Sequence, residues 1–149
     1  MIRHAEPRDL EAIVGLARRF TEESGLPVTF NAHRARATAW QAIHDPEWVF
    51  LVDEADDVIA GVAMLTFECD WYDEILAYVA KFYVEKEFRP LGTAQALVRE
   101  LVAEAENRGA RMVFASATAG MGERVERAYV RLFERAGFQV LGRIISKEL

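Results

Sequence analysis

A short segment that joins a predicted strand to a predicted helix has the residue types of a phosphate-binding turn. It contains Arg89 and Gly92, and apolar residues recur at helical spacing behind it, from Thr93 to Arg108. Gly92 has no Cβ, so its backbone can approach a ligand closely and can adopt torsion angles that other residues resist. The first amides of such a helix have no intrahelical acceptor and lie at the positive end of its dipole. The segment therefore predicts a turn that binds an anion through backbone N–H groups.

The elements around this turn are predicted to form a strand–helix–strand unit. A strand is predicted from Ile75 to Val84, and both of its faces are largely apolar, which indicates a central strand covered on both sides. Gly109 is the expected C-cap of the helix, and another strand is predicted from Arg111 to Ala117. A connection of this kind implies a parallel strand pair with a right-handed crossover.

The rest of the chain is predicted to supply antiparallel strands and three more helices. Helical spacing with N-terminal caps predicts one helix that opens at Pro7 and Asp9 and a second that Asn31 caps. Apolar runs separated by a polar turn predict a hairpin. The predicted order is a strand at 2–5, a helix to residue 20, a loop at 21–27, a helix to about residue 43, strands at 48–52 and 58–67 around a turn at 53–57, a small-residue loop at 116–122, a helix at 123–137, and one or two final strands within 140–149.

Length and composition indicate one ordinary globular domain over residues 1–149. The chain is 52% apolar and 28% charged, and it has neither a membrane-spanning apolar run nor a signal-peptide core, so we expect a cytoplasmic location without membrane association. Its single cysteine, Cys69, can form neither an internal disulfide nor a cysteine metal cluster. The net charge of −6 argues against broad nucleic-acid binding and favours cationic partners, although basic stretches at 34–36 and 124–135 could contact an anion.

Two motifs resemble those of the GNAT N-acetyltransferase superfamily. Residues 89–94, RPLGTA, have the form R-x-x-G-x-A, and together with Val84 and Phe88 they resemble the family's acyl-CoA pattern V-x-x-x-[YF]-R-x-x-G-x-[GA]. Residues 132–138, LFERAGF, resemble its second pattern, L-Y-x-x-x-G-F. The two commonest nucleotide loops, the lysine-containing P-loop and G-x-G-x-x-G, are not present. The resemblance covers nearly the whole chain.

The resemblance implies an α/β fold, with a single domain whose mixed, mostly antiparallel central sheet has one parallel strand pair and is flanked by about four helices. It also implies acetyl-CoA as co-substrate, no metal, and transfer of the acetyl group to a primary amine by direct attack within a ternary complex. The amine that accepts the group belongs either to a small molecule or to a protein. In the family, the loop amides hold the pyrophosphate and the preceding strand pairs with the pantetheine arm. The residues that this assigns to the cofactor are Phe82, Tyr83, Val84, Arg89, Pro90, Leu91, Gly92, Thr93 and Ala94. The resemblance also leaves a homodimer open, because dimers are common in the family.

The chain departs from the family pattern at Phe133. In the family, a tyrosine at this position often protonates the departing thiolate, and phenylalanine has no proton to give. Tyr129 lies one turn earlier on the same face of the predicted helix. It is therefore either a replacement acid or a core residue with its hydroxyl at the edge.

An acidic and aromatic segment, residues 68–74 with the sequence ECDWYDE, is a candidate for the acceptor side. Carboxylates beside aromatic rings suit an ammonium group through charge pairing and cation–π contact. Asp70, Trp71 and Tyr72 are candidate substrate contacts, and Asp73 and Glu74 are candidate bases for the amine proton. The alternative is a turn whose aromatic residues pack on a neighbour or on a dimer partner.

A second acidic pair, Glu22 and Glu23, falls in the predicted loop after the first helix. In the family, this region borders the acceptor pocket. The two carboxylates either receive a cationic amine or belong to a solvated loop.

Two other functions are compatible with the same motifs. The first is a non-catalytic acyl-CoA-binding or interaction module, which Phe133 favours because it removes the family's acid. The second is a toxin-like acetyltransferase that acts on aminoacyl-tRNA, which the acidic net charge opposes.

Overall fold

The structure is a computed structural model that describes residues 1–117 and 120–149, and a five-stranded sheet forms its centre. The strands lie in the order of the chain: β1 (Ile2–His4), β2 (Val49–Ala55), β3 (Val58–Glu68), β4 (Ile75–Val84) and β5 (Ala110–Phe114). The first four are antiparallel to their neighbours, and β4 and β5 are parallel. The predicted mixed sheet with one parallel pair is therefore confirmed.

Four α-helices flank the sheet in the described part of the chain. They are α1 (Leu10–Glu23), α2 (Ala32–His44), α3 (Thr93–Asn107) and α4 (Glu123–Arg135), and short 3-10 helices precede α1 (Pro7–Asp9) and α3 (Lys86–Leu91). None of the described helices has both the length and the apolar character that a membrane crossing requires.

Local chemistry explains several of these boundaries. Asn31 caps α2 as predicted, because its side-chain oxygen accepts a hydrogen bond of 3.0 Å from the backbone N–H of Arg34. The turn between β2 and β3 is tighter than predicted. Its two central residues, Asp56 and Asp57, have φ angles of 49° and 63°, and this left-handed backbone matches the twist of a hairpin.

Three predicted boundaries need correction. Helix α1 continues to Glu23, so Glu22 and Glu23 lie on its last turn and not in a loop. Strand β5 ends at Phe114, three residues before its predicted end. The final strands predicted within 140–149 are wrong, because those residues form no strand and most are exposed. An apolar pattern supplies side chains that suit a strand, but a strand also needs a partner for its backbone hydrogen bonds. In the predicted loop 116–122, residues 118 and 119 lie outside the described residues.

The core has two parts, one on each face of the sheet. On one face, α1 and α2 cover residues such as Phe50, Val62 and Met64. On the other face, α3 buries Leu97 and Leu101 completely against β2, β3 and β4. This packing fixes the first turn of α3 beside the carboxyl end of β4, which is where the sequence places the phosphate-binding turn.

A buried ion pair joins β1 to the start of α1. Arg3 donates two hydrogen bonds, of 2.7 and 2.9 Å, to the carboxylate of Asp9, which is 5% exposed. Asp9 also accepts a hydrogen bond of 2.8 Å from the N–H of Glu6. Hydrogen bonding by Arg3 is the main cause that lowers the pKa of Asp9 below its ordinary value.

We expect Asp9→Asn to lower the free energy of unfolding by about 2 kcal/mol at neutral pH, because it leaves Arg3 without its charged partner. A carboxyl group with a lowered pKa stabilises the fold above its unfolded-state pKa, about 3.9, and this contribution is lost as the pH falls through the folded-state pKa. The difference from wild type should therefore shrink in urea titrations below about pH 3.9. Glu11→Gln, which removes an exposed pair with Arg36, is the control and should change the transition little. A constant difference at all pH values would contradict the role of the ion pair.

Candidate active site

The parallel strands β4 and β5 separate halfway along their length. Their pairing runs from Ile75 to Tyr78, and the described residues include no strand on that side of residues 79–84. On its other side, β4 has a bulge, because Lys81 pairs with Met64 while Val79 pairs with the next residue, Leu65. The second half of β4 thus borders an opening in the sheet.

Backbone groups of β4 face this opening. The carbonyl of Val84 accepts a hydrogen bond of 2.9 Å from Nε of Arg89, so it points away from β3. In an antiparallel pair, the backbone groups of alternate residues point in the same direction. The N–H and C=O of Phe82 are therefore expected on the same side, where they can bind an extended ligand.

The predicted phosphate-binding turn has the expected backbone. Gly92 has φ +88° and ψ 0°, and it is the N-cap of α3, whose first amides follow it directly. A Cβ at Gly92 would contact nothing within 4 Å, so glycine is favoured here by the torsion angle and not by crowding within the protein. The residues before it, predicted as a loop, form the 3-10 helix Lys86–Leu91.

A cavity of about 760 Å³ passes through the opening in the sheet. It reaches from the start of α3 and the inner face of α4 to the surfaces of α1 and α2. Of the nine residues predicted to bind the cofactor, five line it: Phe82, Tyr83, Val84, Arg89 and Ala94. The other four, Pro90, Leu91, Gly92 and Thr93, belong to the turn between them, and Thr93 is buried.

Two loops meet beside this cavity. The N–H of Gly25, just after α1, donates a hydrogen bond of 2.8 Å to the carbonyl of Gly120, just before α4. A Cβ at Gly25 would overlap that oxygen, so the two backbones can meet only because Gly25 has no side chain. The contact lies next to Met121, which lines the cavity.

A hydrogen-bond network connects the predicted phosphate-binding turn, residues 86–92, to the end of α1; we call these residues the cofactor turn, after their predicted role. Arg89 donates two hydrogen bonds, of 2.8 and 2.7 Å, to the two carboxylate oxygens of Glu23, and the hydroxyl of Tyr83 donates to the same carboxylate at 3.1 Å. Hydrogen bonding by Arg89 is the main cause that lowers the pKa of Glu23. Burial, followed by the contact with Glu23, raises the pKa of Tyr83. The charge of Glu23 is thus already balanced by Arg89.

We expect Glu23→Gln to lower the free energy of unfolding by about 1 to 2 kcal/mol, because the charge-assisted pair with Arg89 is partly buried. Since the pKa of Glu23 is lowered, its contribution is present above the unfolded-state value of about 4.3 and is lost as the pH falls below it. Urea unfolding at pH 7 and pH 3 measures both effects. Glu22→Gln, at the exposed neighbouring position, is the matched control. Equal stability of the two variants at pH 7 would show that the network does not stabilise the fold.

An aromatic cluster lies on the inner face of α4. Phe133 is 4% exposed and packs edge-to-face on Phe82, with ring centroids 5.6 Å apart. Tyr129 stacks on Phe133 at 4.6 Å and contacts the edge of Phe82 at 5.5 Å. Tyr129 also lines the cavity, and burial raises its pKa well above the ordinary tyrosine value. It therefore holds its proton beside the open half of β4.

The acidic and aromatic segment 68–74 lies away from this cavity. Glu74 directly precedes β4, and Phe82 is eight residues further along, a distance of about 26 Å in an extended strand. The side chains of Trp71 and Tyr72 are 87% and 60% exposed. None of the five predicted residues, Asp70, Trp71, Tyr72, Asp73 and Glu74, lines the cavity, and neither does Glu22.

Four basic residues besides Arg89 line the cavity. Three of them lie in the basic stretches 34–36 and 124–135, which the sequence offered as possible anion contacts, and the fourth, Lys81, received no role from the sequence. Arg131 and Arg135 lie one turn apart on α4, and their i, i+4 spacing was a usable signal. Arg34 on α2 and Lys81 on β4 also line it. The sequence does not indicate that Arg34 and Lys81 line the same cavity, because they are 47 residues apart along the chain and only the fold brings them to it.

Comparisons with solved structures show the same fold. An acetyltransferase from Trypanosoma brucei matches with a TM-score of 0.77 at 18% identity, over 100% of this chain and 99% of that chain. The aminoglycoside N-acetyltransferase AAC(6')-Iy, in complex with CoA, matches with a TM-score of 0.78 at 18% identity, over 100% and 93% of the two chains. A predicted acetyltransferase from Clostridium acetobutylicum, with acetyl-CoA, matches with a TM-score of 0.75 at 17% identity, over 99% and 95%.

Comparison with curated proteins found no match. The model of the Acetyltransferase (GNAT) family, in contrast, matches residues 11–138, which include the cofactor turn, the open half of β4 and α4. This match covers most of the chain and agrees with both sequence motifs. The protein therefore belongs to the GNAT acetyltransferase family.

Proposed function

We propose that this protein transfers an acetyl group from acetyl-CoA to a primary amine while both substrates are bound. The observation that carries the proposal is the cavity through the sheet. It connects the phosphate-binding turn, the open half of β4 and Tyr129 on one side with the surfaces of α1 and α2 on the other. Two substrates that enter from the two sides can meet at β4 without passing each other.

The cofactor half of the cavity suits acetyl-CoA. Backbone N–H groups at the start of α3 can hold a diphosphate, and the positive end of the helix dipole favours its charge. Arg131 and Arg135 add two positive charges on the facing helix. The backbone groups of Phe82 and the N–H of Val84 can pair with the amide-containing pantetheine arm, much as a neighbouring strand would, while the carbonyl of Val84 is held by Arg89.

The chemistry follows from the groups around β4. The amine nitrogen attacks the thioester carbon, a C–N bond forms, and the C–S bond breaks. Backbone N–H groups that face the opening can stabilise the oxyanion. The departing thiolate takes a proton from the hydroxyl of Tyr129. Solvent then returns a proton to the tyrosine oxygen.

The amine must also lose a proton, and Glu126 is well placed to accept it. This residue lines the cavity three positions before Tyr129, on the same face of α4. The sequence offered Asp73 and Glu74 as candidate bases. Both lie at the far end of β4 from the cavity, so their position does not support this role. We therefore give them no part in the proposed mechanism.

A binding module without turnover is the second candidate, and Phe133 is the observation that favours it. The family's acid is absent at that position, and Tyr129 could serve only the packing of the aromatic cluster. The two candidates share cofactor binding and differ in catalysis.

The test measures binding of acetyl-CoA and transfer of its acetyl group in two successive experiments. Calorimetry first measures binding of acetyl-CoA, and thiol release with mass spectrometry then follows acetylation across amino acids, polyamines, aminoglycosides and peptides. We expect binding together with an N-acetylated product. Binding without any amine-dependent thiol release would support the non-catalytic module, and no binding to folded protein would overturn both.

A further inference from the structure

In the part of the chain that the structure describes, two positive charges on the α1 and α2 side of the cavity have no ion-pair partner. Arg34 lies in the first turn of α2 and lines the cavity together with Thr38, one turn later. Lys81 projects from the open half of β4. Lys81 pairs with Met64 across the sheet, and directly paired side chains share a face, so Lys81 points toward the α1 and α2 side where Met64 packs.

Other cations near this face are already engaged. Arg19 pairs with Glu85, Arg36 with Glu11, and Arg89 with Glu23, while Arg18 lies over the ring of Phe30. Arg34 and Lys81 have no ion pair with any residue in the described ranges 1–117 and 120–149. Both therefore remain able to bind an anion that enters the cavity.

The same side offers little to attract a cation. Among the described residues that line the cavity, the one acidic side chain is Glu126 on α4, which the proposed mechanism uses as the base. Glu23, at the end of α1, does not line the cavity, and two hydrogen bonds from Arg89 and one from Tyr83 already satisfy its carboxylate. The remaining wall is apolar and is built from Phe20, Phe50, Val62 and Met64. A polycationic acceptor would lie beside two positive charges, and the residues that α1 and α2 contribute to the described cavity include no acidic side chain to balance it.

We propose that the acceptor is an α-amino acid with a free carboxylate and an apolar side chain, and that Arg34 and Lys81 bind its carboxylate. This inference rests on the proposed acetyl transfer and specifies its substrate class. The guanidinium of Arg34 can hold a carboxylate through two parallel hydrogen bonds, and the ammonium of Lys81 adds a point charge. The apolar wall then takes the side chain of the amino acid.

The position of Lys81 supports an amine close to the carboxylate. Lys81 directly precedes Phe82, whose backbone faces the opening where the thioester is expected. In an α-amino acid, a single carbon separates the amine from the carboxylate, so a carboxylate held here leaves the amine near the thioester. Neighbouring cations also favour the neutral form of the amine, which is the form that attacks.

The test compares three amines that share one apolar group. L-Leucine has a carboxylate, L-leucinamide has a neutral amide in its place, and 3-methylbutylamine has neither. Thiol release from acetyl-CoA gives kcat/KM for each, and mass spectrometry identifies the N-acetyl product. We expect kcat/KM for L-leucine to exceed that for both other amines by about tenfold or more, because the other two cannot accept the charge-assisted hydrogen bonds of a carboxylate. Spermidine serves as the polycationic alternative, and its kcat/KM should be lower still.

Variants of Arg34 and Lys81 test whether these two cations cause the preference for L-leucine. Arg34→Gln and Lys81→Gln should each reduce kcat/KM for L-leucine by about tenfold while leaving that for L-leucinamide nearly unchanged. The matched controls are Arg36→Gln, on the same helix, and Lys86→Gln, just beyond β4, and both should keep the preference. Melting curves confirm that each variant is folded, and either cation variant alone can decide if the other does not fold.

The outcomes separate this inference from the proposed function. Turnover of L-leucinamide, 3-methylbutylamine or spermidine at or above the rate of L-leucine would overturn the inference and leave acetyl transfer standing. A preference that persists in both cation variants would also overturn it. If no amine is acetylated, the proposed function fails, and calorimetry of L-leucine and L-leucinamide on the CoA-bound protein decides the inference. Binding that requires both the carboxylate and Arg34 would support it, and equal or absent binding would overturn it.

Discussion

Gly92→Asp is expected to weaken binding of acetyl-CoA by about thirtyfold or more, equivalent to about 2 kcal/mol, while the protein stays folded. Aspartate tolerates the left-handed backbone better than most residues, so the φ of +88° does not by itself prevent folding. Its carboxylate would lie at the start of α3, where the proposed diphosphate binds, and the two like charges repel. Calorimetry with acetyl-CoA at low ionic strength measures the loss.

Two controls separate the charge from the backbone. Gly92→Asn has nearly the same shape and the same torsion cost but no charge, so it should lose much less affinity than Gly92→Asp. Gly109→Asp places the same charge on a glycine with φ +74°, at the opposite end of α3. It should leave the Kd for acetyl-CoA nearly unchanged. Equal losses for the aspartate and asparagine variants at Gly92 would show that backbone strain, and not anion binding, explains the effect.

The sequence predicted the parts of the site that depend on local chemistry. The strand from Ile75 to Val84 and the helix that starts at Thr93 have the predicted limits at the site, because apolar periodicity and a glycine cap act over a few residues. Asn31 caps α2 for the same reason. These signals were enough to predict the turn and the strand that the proposed function assigns to the cofactor.

The acceptor half depends on contacts between distant residues, and the sequence predicted it poorly. The segment 68–74 has the composition of an ammonium site, but its place before β4 puts it at the wrong end of the strand for the cavity. Glu23 was a candidate substrate contact or a solvated loop residue, and instead Arg89, 66 residues later, binds its carboxylate. Composition shows which ligand a segment suits, whereas the topology decides whether the segment reaches the site.

The pair of Glu23 and Arg89 also connects the two halves of the cavity. Arg89 belongs to the cofactor turn and binds the carbonyl of Val84, at the end of the open strand. Glu23 ends α1, on the acceptor side. Two charge-assisted hydrogen bonds therefore connect the position of α1 to β4, the strand that we propose holds the thioester. Because Arg89 is paired in this way, the proposal assigns the binding of the acceptor's carboxylate to Arg34 and Lys81.

Tyr129→Phe is expected to reduce kcat by about a hundredfold, the lower end of the usual range for a general acid, because a thiolate is already a fair leaving group. The KM for acetyl-CoA should change by less than about twofold, since the ring that packs on Phe82 and Phe133 is kept. Burial raises the pKa of Tyr129, so the wild-type enzyme should keep its acid protonated past the ordinary tyrosine value of about 10. The pH profile of kcat should accordingly show no loss from this group below about pH 10.

Tyr72→Phe is the matched control for this prediction, because it removes an exposed hydroxyl outside the cavity. It should keep the wild-type kcat. If Tyr129→Phe also keeps it, Tyr129 is a packing residue, and the thiolate leaves without a side-chain acid. If Tyr129→Phe lowers kcat and its loss is greatest for slowly reacting amines, proton donation to the thiolate limits turnover. That result would show that a tyrosine one helical turn away has replaced the acid that Phe133 lacks.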